Sequence, residues 1–329
     1  KYCIYNEDFG GNRNFNNEDM SIETAKQAIE YAITHSGDEF AVTFYGGEPL
    51  LRFDLLKECI DFTIKNSGSK EVSFSFTSNM SLMTPAMAEY FASIPNLSIL
   101  ASIDGPQEIH DRNRVTIGQR PTFKESIRGL ELVANAFKQT SNIVNINTVF
   151  SPPYSYHKID LIDRFFSELP FLRKDTTVKI SYTSPGTYQY YGQLFEEGEA
   201  SDYMLGNEPN PLLKWSWETF SSIRKSDKSI LAQGYIFDLI RRVHMRGLSD
   251  SPVGYYRMNG CCEPGIRRLY VATNGNLYVC ERVGSSPSIG TISSGIDVDK
   301  CKQYYIDEYE KASITACSRC WAVRLCDVC

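Results

Sequence analysis

Apolar and polar positions along the first half of the chain follow two alternating periods. Short runs rich in β-branched and aromatic residues predict strands, and they fall at residues 40–46, 71–79, 97–104, 142–150 and 177–184. Between these runs, apolar residues recur at spacings of three and four positions, which predicts amphipathic helices. Strands that alternate with helices at this spacing are typical of βαβ units and a parallel sheet.

Local signals refine the two predicted helices nearest the start. Ser21 is the predicted N-cap of a helix over residues 21–35. The next helix is expected to place Leu55, Cys59 and Phe62 on one face, which would make Cys59 a small core residue.

The pattern changes after the fifth predicted strand, and this change sets the expected domains. Residues 185–259 are rich in Tyr, Gly and Pro, with helical patterns at 215–223 and 230–245, which predicts a bridging segment. Residues 1–184 are assigned to an α/β domain and residues 260–329 to a small Cys-rich module. A further strand is expected before residue 1, which predicts a partial (β/α)6 barrel with its site at the carboxyl ends of the strands.

Composition and charge argue against nucleic acid and membranes as partners. The chain has 329 residues and a formal net charge of −6, and it contains no run of Lys or Arg typical of a nucleic-acid groove. No stretch approaches the roughly 18 continuous apolar residues of a membrane span, so no membrane partner is expected. Of the ten cysteines, Cys3 and Cys59 alone precede residue 260. This placement favours metal or cluster ligation in a reducing compartment, which predicts a cytoplasmic protein.

Two motifs lie where the first two predicted strands end. In "FYGGEPLL", Gly46 and Gly47 allow a sharp turn and a close backbone approach to a ligand, and Glu48 follows them. In "FTSNMSLMT", Ser78 and Asn79 offer short hydrogen-bonding groups. Because the carboxyl ends of parallel strands share one edge of a sheet, these groups are expected to lie together. Taken singly, each motif is also typical of a plain turn, with a solvated Glu48 in the first.

A third motif, "ASIDGPQEIHDRNR", follows the third predicted strand. Ser102 and Asp104 come at the strand end, and Gly105 opens the turn. Polar groups at this place favour a functional site over a core position. The alternatives are an Asx turn of Asp104 with Gly105 and a helix-capping role for His110 and Asp111.

Eight cysteines crowd towards the end of the chain, and their spacing limits the chemistry. Cys262, Gly275 and Cys280 form C-x12-G-x4-C, and "CSRCWAVRLCDVC" gives C-x2-C-x5-C-x2-C from Cys317 to Cys329. Zinc ribbons usually separate their C-x2-C pairs by about 15–20 residues, so a gap of five disfavours zinc. Sets of four thiolates from such tight runs are typical of iron–sulfur clusters.

Together these motifs resemble the radical S-adenosylmethionine (SAM) enzymes of the SPASM subfamily. That family opens its barrel with C-x3-C-x2-C, and "KYC" is similar to the end of this motif, with the first strand and first two cysteines expected upstream. "GGEP", "TSN" and "SIDG…HDRNR" resemble its SAM-binding strand ends. The Cys patterns resemble its auxiliary-cluster module, although the last two cysteines are separated by two residues where the family usually has three. A further cysteine is expected beyond residue 329, so the module is expected to be truncated.

The resemblance implies a [4Fe–4S] cluster that binds SAM and supplies a 5′-deoxyadenosyl radical. It places Cys3, as a cluster ligand, and Asp104 in the catalytic centre. It gives the SAM carboxylate a partner in Arg114 or Arg120. It implies further cofactor contacts from Tyr45, Gly46, Gly47, Glu48, Ser78, Asn79, Ser102, Asp104 and Val149.

The resemblance also implies two auxiliary [4Fe–4S] clusters in the module. The nearer cluster would take its ligands from Cys262 (with or without Cys261), Cys280 and Cys329. The farther cluster would take Cys317, Cys320 and Cys326, with a fourth ligand beyond residue 329. Cys301 fits neither set and is expected to be structural.

Members of the family with two auxiliary clusters act mainly on peptides, which predicts a peptide maturase. The expected reaction removes hydrogen from a carbon of a Cys-containing precursor peptide and bonds a Cys sulfur to it, as in sactipeptides and ranthipeptides. The auxiliary clusters would bind sulfur or accept an electron, and a flavodoxin or ferredoxin would supply reducing electrons. Other enzyme hypotheses are a sulfatase maturase that forms formylglycine and a maturase that forms carbon–carbon crosslinks. From another class, an iron–sulfur electron carrier or a peptide-binding scaffold fits the same cysteines.

Overall fold

The computed structural model describes residues 18–152, 154–183, 211–222, 229–245, 264–281 and 286–320. These residues divide between two compact units. The first unit holds the described parts of Asp38–Ile60 and Ser69–Leu239, and the second holds those of Gly10–Gly37, Asp61–Gly68 and Ile240–Cys329. The domain limits expected near residues 184 and 259 stay predictions.

Five parallel strands in the order β1-β2-β3-β4-β5 form the sheet of the first unit. They are β1 Glu39–Phe44, β2 Glu71–Ser78, β3 Leu97–Ser102, β4 Ile143–Phe150 and β5 Val178–Tyr182. Each strand pairs with its neighbour in sequence, so that Phe44 lies opposite Phe76 and Ser78 lies opposite Ala101. The predicted α/β class and parallel sheet are confirmed, because each of the five predicted strands overlaps an observed one.

Helices precede, connect and follow the strands of this sheet. Before β1 lies α1 Ile22–His35, and between the strands lie α2 Phe53–Asn66, α3 Pro85–Ser93, α4 Gln107–Asn113, α5 Phe123–Ala136 and α6 Tyr156–Ser167. After β5 come α7 Pro211–Ser222 and α8 Ile230–His244. No helix in the described part of the chain is both long and apolar enough to cross a membrane.

Hydroxyl side chains fix the starts of several helices. Ser21 Oγ accepts a hydrogen bond from the Thr24 N–H at 3.0 Å, which confirms the predicted start of α1. Thr84 Oγ1 accepts one from the Met87 N–H at 3.2 Å at the start of α3, and Ser155 caps α6 in the same way. These caps satisfy backbone donors that a helix leaves without a partner at its first turn.

The buried face of α2 differs from the predicted one. Leu56, Cys59 and Ile60 are buried, whereas Leu55 and Phe62 are only half-buried. The prediction for Cys59 as a core residue is confirmed, but the buried stripe is centred one position away from the expected trio. A shift of one residue rotates a helix face by about 100°. A short apolar repeat does not determine which of two neighbouring faces of the helix is buried.

The core of the first unit contains many aromatic side chains. Phe74 and Phe76 of β2 and Phe91 of α3 are almost fully buried. Just before β4, Asn142 accepts a hydrogen bond from the Leu97 N–H at 3.0 Å and donates to the carbonyls of Phe91 and Ile94 at the end of α3. A buried amide therefore joins two strands and a helix end. Large apolar burial of this kind provides most of the driving force for folding.

Two aspartates of α6 hold the helices that follow β5. Trp215 Nε1 of α7 donates to Asp160 Oδ1 at 2.7 Å, and the Leu231 N–H at the start of α8 donates to Asp163 Oδ1 at 3.0 Å. Burial raises the pKa of the Asp163 carboxyl above its usual value. The two helices predicted in the bridging segment are confirmed, and α7 begins earlier than expected, at Pro211.

The second unit contains a four-stranded antiparallel sheet. Its strands are β6 Tyr270–Val271, β7 Asn276–Tyr278, β8 Gly290–Thr291 and β9 Gly295–Ile296, and α9 Val298–Lys302 and α10 Glu308–Cys317 follow. A small core in this unit comprises the buried residues Leu277, Val279, Ile289, Cys301 and Tyr305. Burial raises the pKa of the Cys301 thiol, which matches the structural role expected for it.

Candidate active site

The predicted strand-end residues follow the carboxyl ends of the parallel strands. Tyr45 and Gly46 follow β1, Ser78 ends β2, Ser102 ends β3, and Val149 lies next to the last residue of β4. Because all five strands run in the same direction, these positions share one edge of the sheet. We refer to this row of strand ends as the polar edge.

Glu48 is the centre of one hydrogen-bonded cluster at the polar edge. Its Oε1 accepts from Ser78 Oγ at 2.8 Å and from the Leu50 N–H at 3.1 Å, and its Oε2 accepts from the Asn79 N–H at 2.7 Å. Burial raises the pKa of the Glu48 carboxyl, while these hydrogen bonds and the charge of Arg114 act in the opposite direction. Glu48 therefore joins the turns after β1 and β2, and it is not the solvated turn residue of the alternative interpretation.

The turn that carries Asn79 is held by its own polar groups and by α5. Ser78 Oγ accepts from the Met80 N–H at 2.9 Å, and Asn79 Oδ1 accepts from the N–H and Oγ of Ser81 at 2.9 and 2.6 Å. Met80 is in the left-handed region with a φ of 64°. A Cβ atom at Gly129 of α5 would lie 2.1 Å from the Met80 carbonyl oxygen, so glycine allows α5 to approach this turn.

Asp104 is a buried carboxylate with protein partners on both oxygens. Its Oδ1 accepts from the Val149 N–H at 3.1 Å, and its Oδ2 lies 3.0 Å from Arg114 Nε in an ion pair. These contacts tie β4 to the segment after α4, and they differ from the alternative Asx turn with Gly105. The place of Asp104 in a catalytic centre stays a prediction, and the contacts assign it an organising role in the fold.

The same cluster continues through His110, which the strand-end motif did not identify as a site residue. The Asp104 N–H donates to His110 Nδ1 at 3.4 Å, and His110 Nε2 lies 3.2 Å from Thr122 Oγ1. Because Thr122 Oγ1 donates to the Arg114 carbonyl at 2.8 Å, we assign the ring proton to Nε2, where it can donate to that hydroxyl. Burial lowers the pKa of His110 to about 4, so the ring is neutral at pH 7.

Asp111 has the capping role that was one of the alternatives for this motif. Its Oδ1 accepts from the N–H groups of Thr122 and Phe123 at 3.0 and 2.9 Å, at the start of α5. His110 contacts the same helix start through its ring, because Nε2 lies 3.2 Å from Thr122 Oγ1 and the ring packs edge-on against Phe123. Asp111 therefore caps the backbone of α5, whereas His110 joins that helix start to the segment after β3.

One candidate partner for the SAM carboxylate lies at the base of a short hairpin, and the other lies within the hairpin. Arg114 lies at its base and is paired with Asp104, with a side chain that is 19% exposed. Arg120 lies in the hairpin and is exposed, and its backbone pairs with that of Thr116. The choice between Arg114 and Arg120 stays open.

The described part of the chain contains three of the eight predicted metal ligands. Cys280 follows β7, Cys317 ends α10, and the Cys320 N–H donates to the Cys317 carbonyl at 3.1 Å. Within the described ranges, no group of three or more His, Cys, Asp or Glu residues is arranged to hold a metal ion. The other predicted ligands lie outside these ranges: Cys3, Cys261, Cys262, Cys326 and Cys329.

A buried lysine near the end of β4 was missed by the sequence motifs. Lys158 Nζ donates to the Ser151 carbonyl at 2.5 Å, to Ser151 Oγ at 3.2 Å and to the Pro152 carbonyl at 3.4 Å. Its spacing offered a signal, because Lys158, Ile162 and Phe166 lie four positions apart on the buried face of α6. Lys158 occupies a buried helix position where an apolar side chain is usual, and it holds the loop after β4 by hydrogen bonds.

The turn after β1 leaves room for a ligand beside these fixed groups. Apart from chain neighbours, no heavy atom of the described residues lies within 4 Å of a Cβ position built on Gly46 or Gly47. Open backbone next to the anchored Glu48 suits a ligand with an ammonium group, since backbone carbonyls accept from such a group. The described residues of the polar edge therefore fit the amino end of SAM.

Comparison with known proteins finds relatives for about half of the chain. The radical SAM cyclopropyl synthase TigE of Paramaledivibacter caminithermalis is 27% identical over 174 residues, which cover 50% of this chain and 35% of TigE. A cysteine-type anaerobic sulfatase-maturating enzyme of Clostridium novyi is 28% identical over 173 residues, which cover 52% of this chain and 44% of the relative. The chain thus spans between a third and a half of the length of these curated relatives.

Among solved structures, native anSMEcpe with bound AdoMet and Kp18Cys peptide matches with a TM-score of 0.69 at 21% identity. The match covers 99% of this chain and 83% of that chain, and it shows that the two share a fold. The sequence profile of the Radical SAM superfamily matches residues 1–165, which is half of the chain. The chain therefore belongs to the Radical SAM superfamily of enzymes.

Proposed function

We propose that this protein is a radical SAM peptide maturase that forms a thioether bond in a Cys-containing precursor peptide. The observation that carries the proposal is the open backbone of Gly46 and Gly47 beside the anchored Glu48, combined with the Cys-dense sequence that follows the parallel sheet. The first feature suits SAM, and the second supplies thiolates for further clusters.

Some residues of the polar edge would contact SAM directly, and others would hold those residues in place. Gly46 and Gly47 would offer carbonyls to the SAM amino group, and Asn79 and Ser102 would meet its ribose or carboxylate oxygens. Ser78 would act through Glu48, because its hydroxyl already donates to that carboxylate. The remaining predicted contacts are Tyr45, Val149 and either Arg114 or Arg120.

Bound cofactors would supply the radical chemistry, namely reductive cleavage of SAM to 5′-deoxyadenosine and methionine with transfer of a hydrogen atom from the peptide. The net change in the peptide is loss of one C–H hydrogen and one S–H hydrogen as a C–S bond forms. An auxiliary cluster would take up the remaining electron. The protein's own part is to bind, orient and shield the reacting groups.

The module's cysteines would hold two auxiliary [4Fe–4S] clusters. Support comes from the C-x2-C-x5-C-x2-C spacing and from the turn at the end of α10, in which the Cys320 N–H donates to the Cys317 carbonyl. The first cluster would use Cys280 and Cys329 with Cys262, with or without Cys261. The second would use Cys317, Cys320 and Cys326. A flavodoxin or ferredoxin as reductant and a location in the cytoplasm belong to the same proposal, since exposed thiolate ligands require reducing conditions.

A second candidate is a sulfatase maturase that converts Cys or Ser to formylglycine. The relative from Clostridium novyi carries that activity in its name and favours this candidate. A third is a carbon–carbon crosslinking maturase, which the name of TigE favours. Both would use the polar edge in the same way and would differ in the fate of the peptide's sulfur.

The deciding experiment is mass analysis of a reacted peptide. Full-length protein is reconstituted anaerobically and incubated with SAM, dithionite and a small Cys-containing peptide chosen from the open reading frames adjacent to its gene, and the product is then alkylated with iodoacetamide. A thioether product is lighter by two hydrogens and resists alkylation at the linked Cys. A product that loses hydrogen yet alkylates fully indicates a carbon–carbon bond, and loss of sulfur indicates formylglycine. An unchanged peptide contradicts the thioether and carbon–carbon proposals, and clusters without any 5′-deoxyadenosine point to a scaffold.

Paired glycine variants test the proposed cofactor position. Gly47→Val would fill the open space beside Glu48, and we expect it to abolish peptide-independent formation of 5′-deoxyadenosine. Gly37→Val is the matched control, because the space around Gly37 is equally open and lies outside the polar edge. Equal activity in both variants would show that the turn after β1 does not bind SAM.

A further inference from the structure

A braced hairpin projects from the loop between α4 and α5. Val115 and Pro121 form an isolated antiparallel bridge that closes it. Inside, the Thr116 N–H donates to the Arg120 carbonyl at 2.9 Å, the Gln119 N–H donates to the Thr116 carbonyl at 2.9 Å, and the Arg120 N–H donates to Thr116 Oγ1 at 3.1 Å. The hairpin over residues 115–121 therefore has a defined conformation of its own.

The base of the hairpin is built into the polar edge. Arg114, which precedes it, forms the ion pair with Asp104 directly after β3. Thr122, which follows it, donates to the Arg114 carbonyl, and its backbone N–H is held by Asp111. Both ends of the hairpin are thus fixed to the residues that organise the candidate active site.

The tip of the hairpin contrasts with its base, because its apolar side chain does not pack against the core. Ile117 is fully exposed, whereas Val115 is half-buried and Arg114 is mostly buried. A single exposed apolar residue is common on protein surfaces. Here, however, it stands on a hairpin that also keeps Gln119 in the left-handed region with a φ of 58°. Backbone strain that the surrounding contacts maintain is a reason to look for function.

We propose that Ile117 and the hairpin around it form a docking surface for the substrate peptide, where an apolar side chain of the peptide packs on Ile117. The proposal rests on the function proposed above and names the element that reads the peptide near the reacting centre. The braced backbone means that little conformational freedom is lost when the peptide binds.

The charge of the hairpin defines the partner further. With Arg114 as the partner of the SAM carboxylate, Arg120 is left for the peptide. It is the charged residue within residues 115–121, and it lies three positions from Ile117. An extended peptide segment that has an apolar residue close to an Asp or Glu matches this pair of groups in both polarity and charge. A basic or purely polar segment does not.

The test measures peptide binding apart from catalysis. The probe is a fluorescein-labelled version of the Cys-containing peptide used in the mass analysis above, and its anisotropy is recorded with reconstituted full-length protein. We expect Ile117→Asp to weaken binding by about tenfold or more, as for a central contact residue. Ile117→Val is expected to bind within about threefold of the unaltered protein, because it keeps the apolar contact.

Three controls separate this proposal from its alternatives. Val298→Asp alters another exposed apolar residue, at the start of α9, and it is expected to leave peptide affinity unchanged. Peptide-independent formation of 5′-deoxyadenosine is expected to stay within about twofold in Ile117→Asp, since the hairpin tip is not assigned to SAM. A peptide with its acidic residues changed to amides is expected to bind more weakly.

Unchanged affinity in Ile117→Asp would overturn the proposal, and loss of SAM cleavage in that variant would place the tip in the cofactor site instead. A changed elution volume on size exclusion would show that the hairpin joins two copies of the chain. If the unaltered protein binds the peptide but does not modify it, the proposed function fails while the docking surface stands. If the unaltered protein modifies the peptide and Ile117→Asp binds the peptide with the same affinity, the proposed docking surface fails while the proposed function stands.

Discussion

The polar edge of the parallel sheet and the core of the second unit differ in what holds them together. At the polar edge, buried charges and amides satisfy one another, as in the pairs of Glu48 with Asn79 and of Asp104 with Arg114. In the second unit, a small apolar core around Leu277 is the main packing feature. The comparison indicates that the polar edge is shaped before any ligand arrives. The described part of the second unit has a core of few apolar residues, so this unit is expected to depend more on its ligands.

The largest effect is expected at the ion pair of the polar edge. Arg114→Met would leave the Asp104 carboxylate, which is 1% exposed, without its charged partner. We expect unfolding to require about 3–5 kcal/mol less free energy, as found for broken buried pairs. Urea unfolding of the cluster-free protein measures this, with Arg112→Met on the exposed face of α4 as control. A loss below about 0.5 kcal/mol, the range of ordinary surface changes, would show that the pair is not essential to the edge.

The second-largest loss of stability is expected in the core of the second unit. Leu277→Ala removes a fully buried side chain from a core of few members, and a loss of about 2–5 kcal/mol is expected. Limited proteolysis measures it as faster cleavage within residues 264–320, and Val298→Ala on the surface serves as control. If reconstitution of the clusters does not slow this cleavage, the proposed dependence of the unit on its ligands is wrong.

A third prediction uses the buried imidazole of the polar edge. The pKa of His110 is lowered from 6.5 to about 4, so the unfolded chain binds the proton more readily between these values. Stability is therefore fully present above pH 6.5 and falls as the pH drops towards 4, by about 3 kcal/mol in all. His110→Phe cannot titrate and is expected to flatten this part of the pH profile of the unfolding free energy. Identical profiles for both proteins would contradict the assignment.

The smallest predicted effect concerns the approach of α5 to the turn after β2. Gly129→Ala would place a methyl group against the Met80 carbonyl, and we expect a loss of about 1–3 kcal/mol from overpacking. Gly37→Ala has open space and is expected to change stability by less than about 0.5 kcal/mol. Thermal unfolding of the two variants side by side measures the difference, and equal midpoints would mean that the approach is not tight in solution.

Local signals in the sequence were sufficient for the strands, for the cap at Ser21 and for the place of the polar edge. They were insufficient for the contacts within it, because the partners come from distant parts of the chain. Asp104 accepts from Val149, which lies 45 positions away, and no spacing rule predicts that bond. The buried Lys158 was missed for another reason, since a charged residue on an apolar face is normally assigned to the helix surface.

The closed base of the hairpin has a consequence for engineering. Because Val115 and Pro121 lie side by side, residues 116–120 begin and end at almost the same point. The segment can therefore be exchanged for sequences of other lengths, and each doubling of loop length costs only about 0.6 kcal/mol of closure entropy. Libraries that vary residues 116–119, with Arg114, Arg120 and Thr122 held constant, would change the proposed docking surface and leave both candidate SAM partners in place.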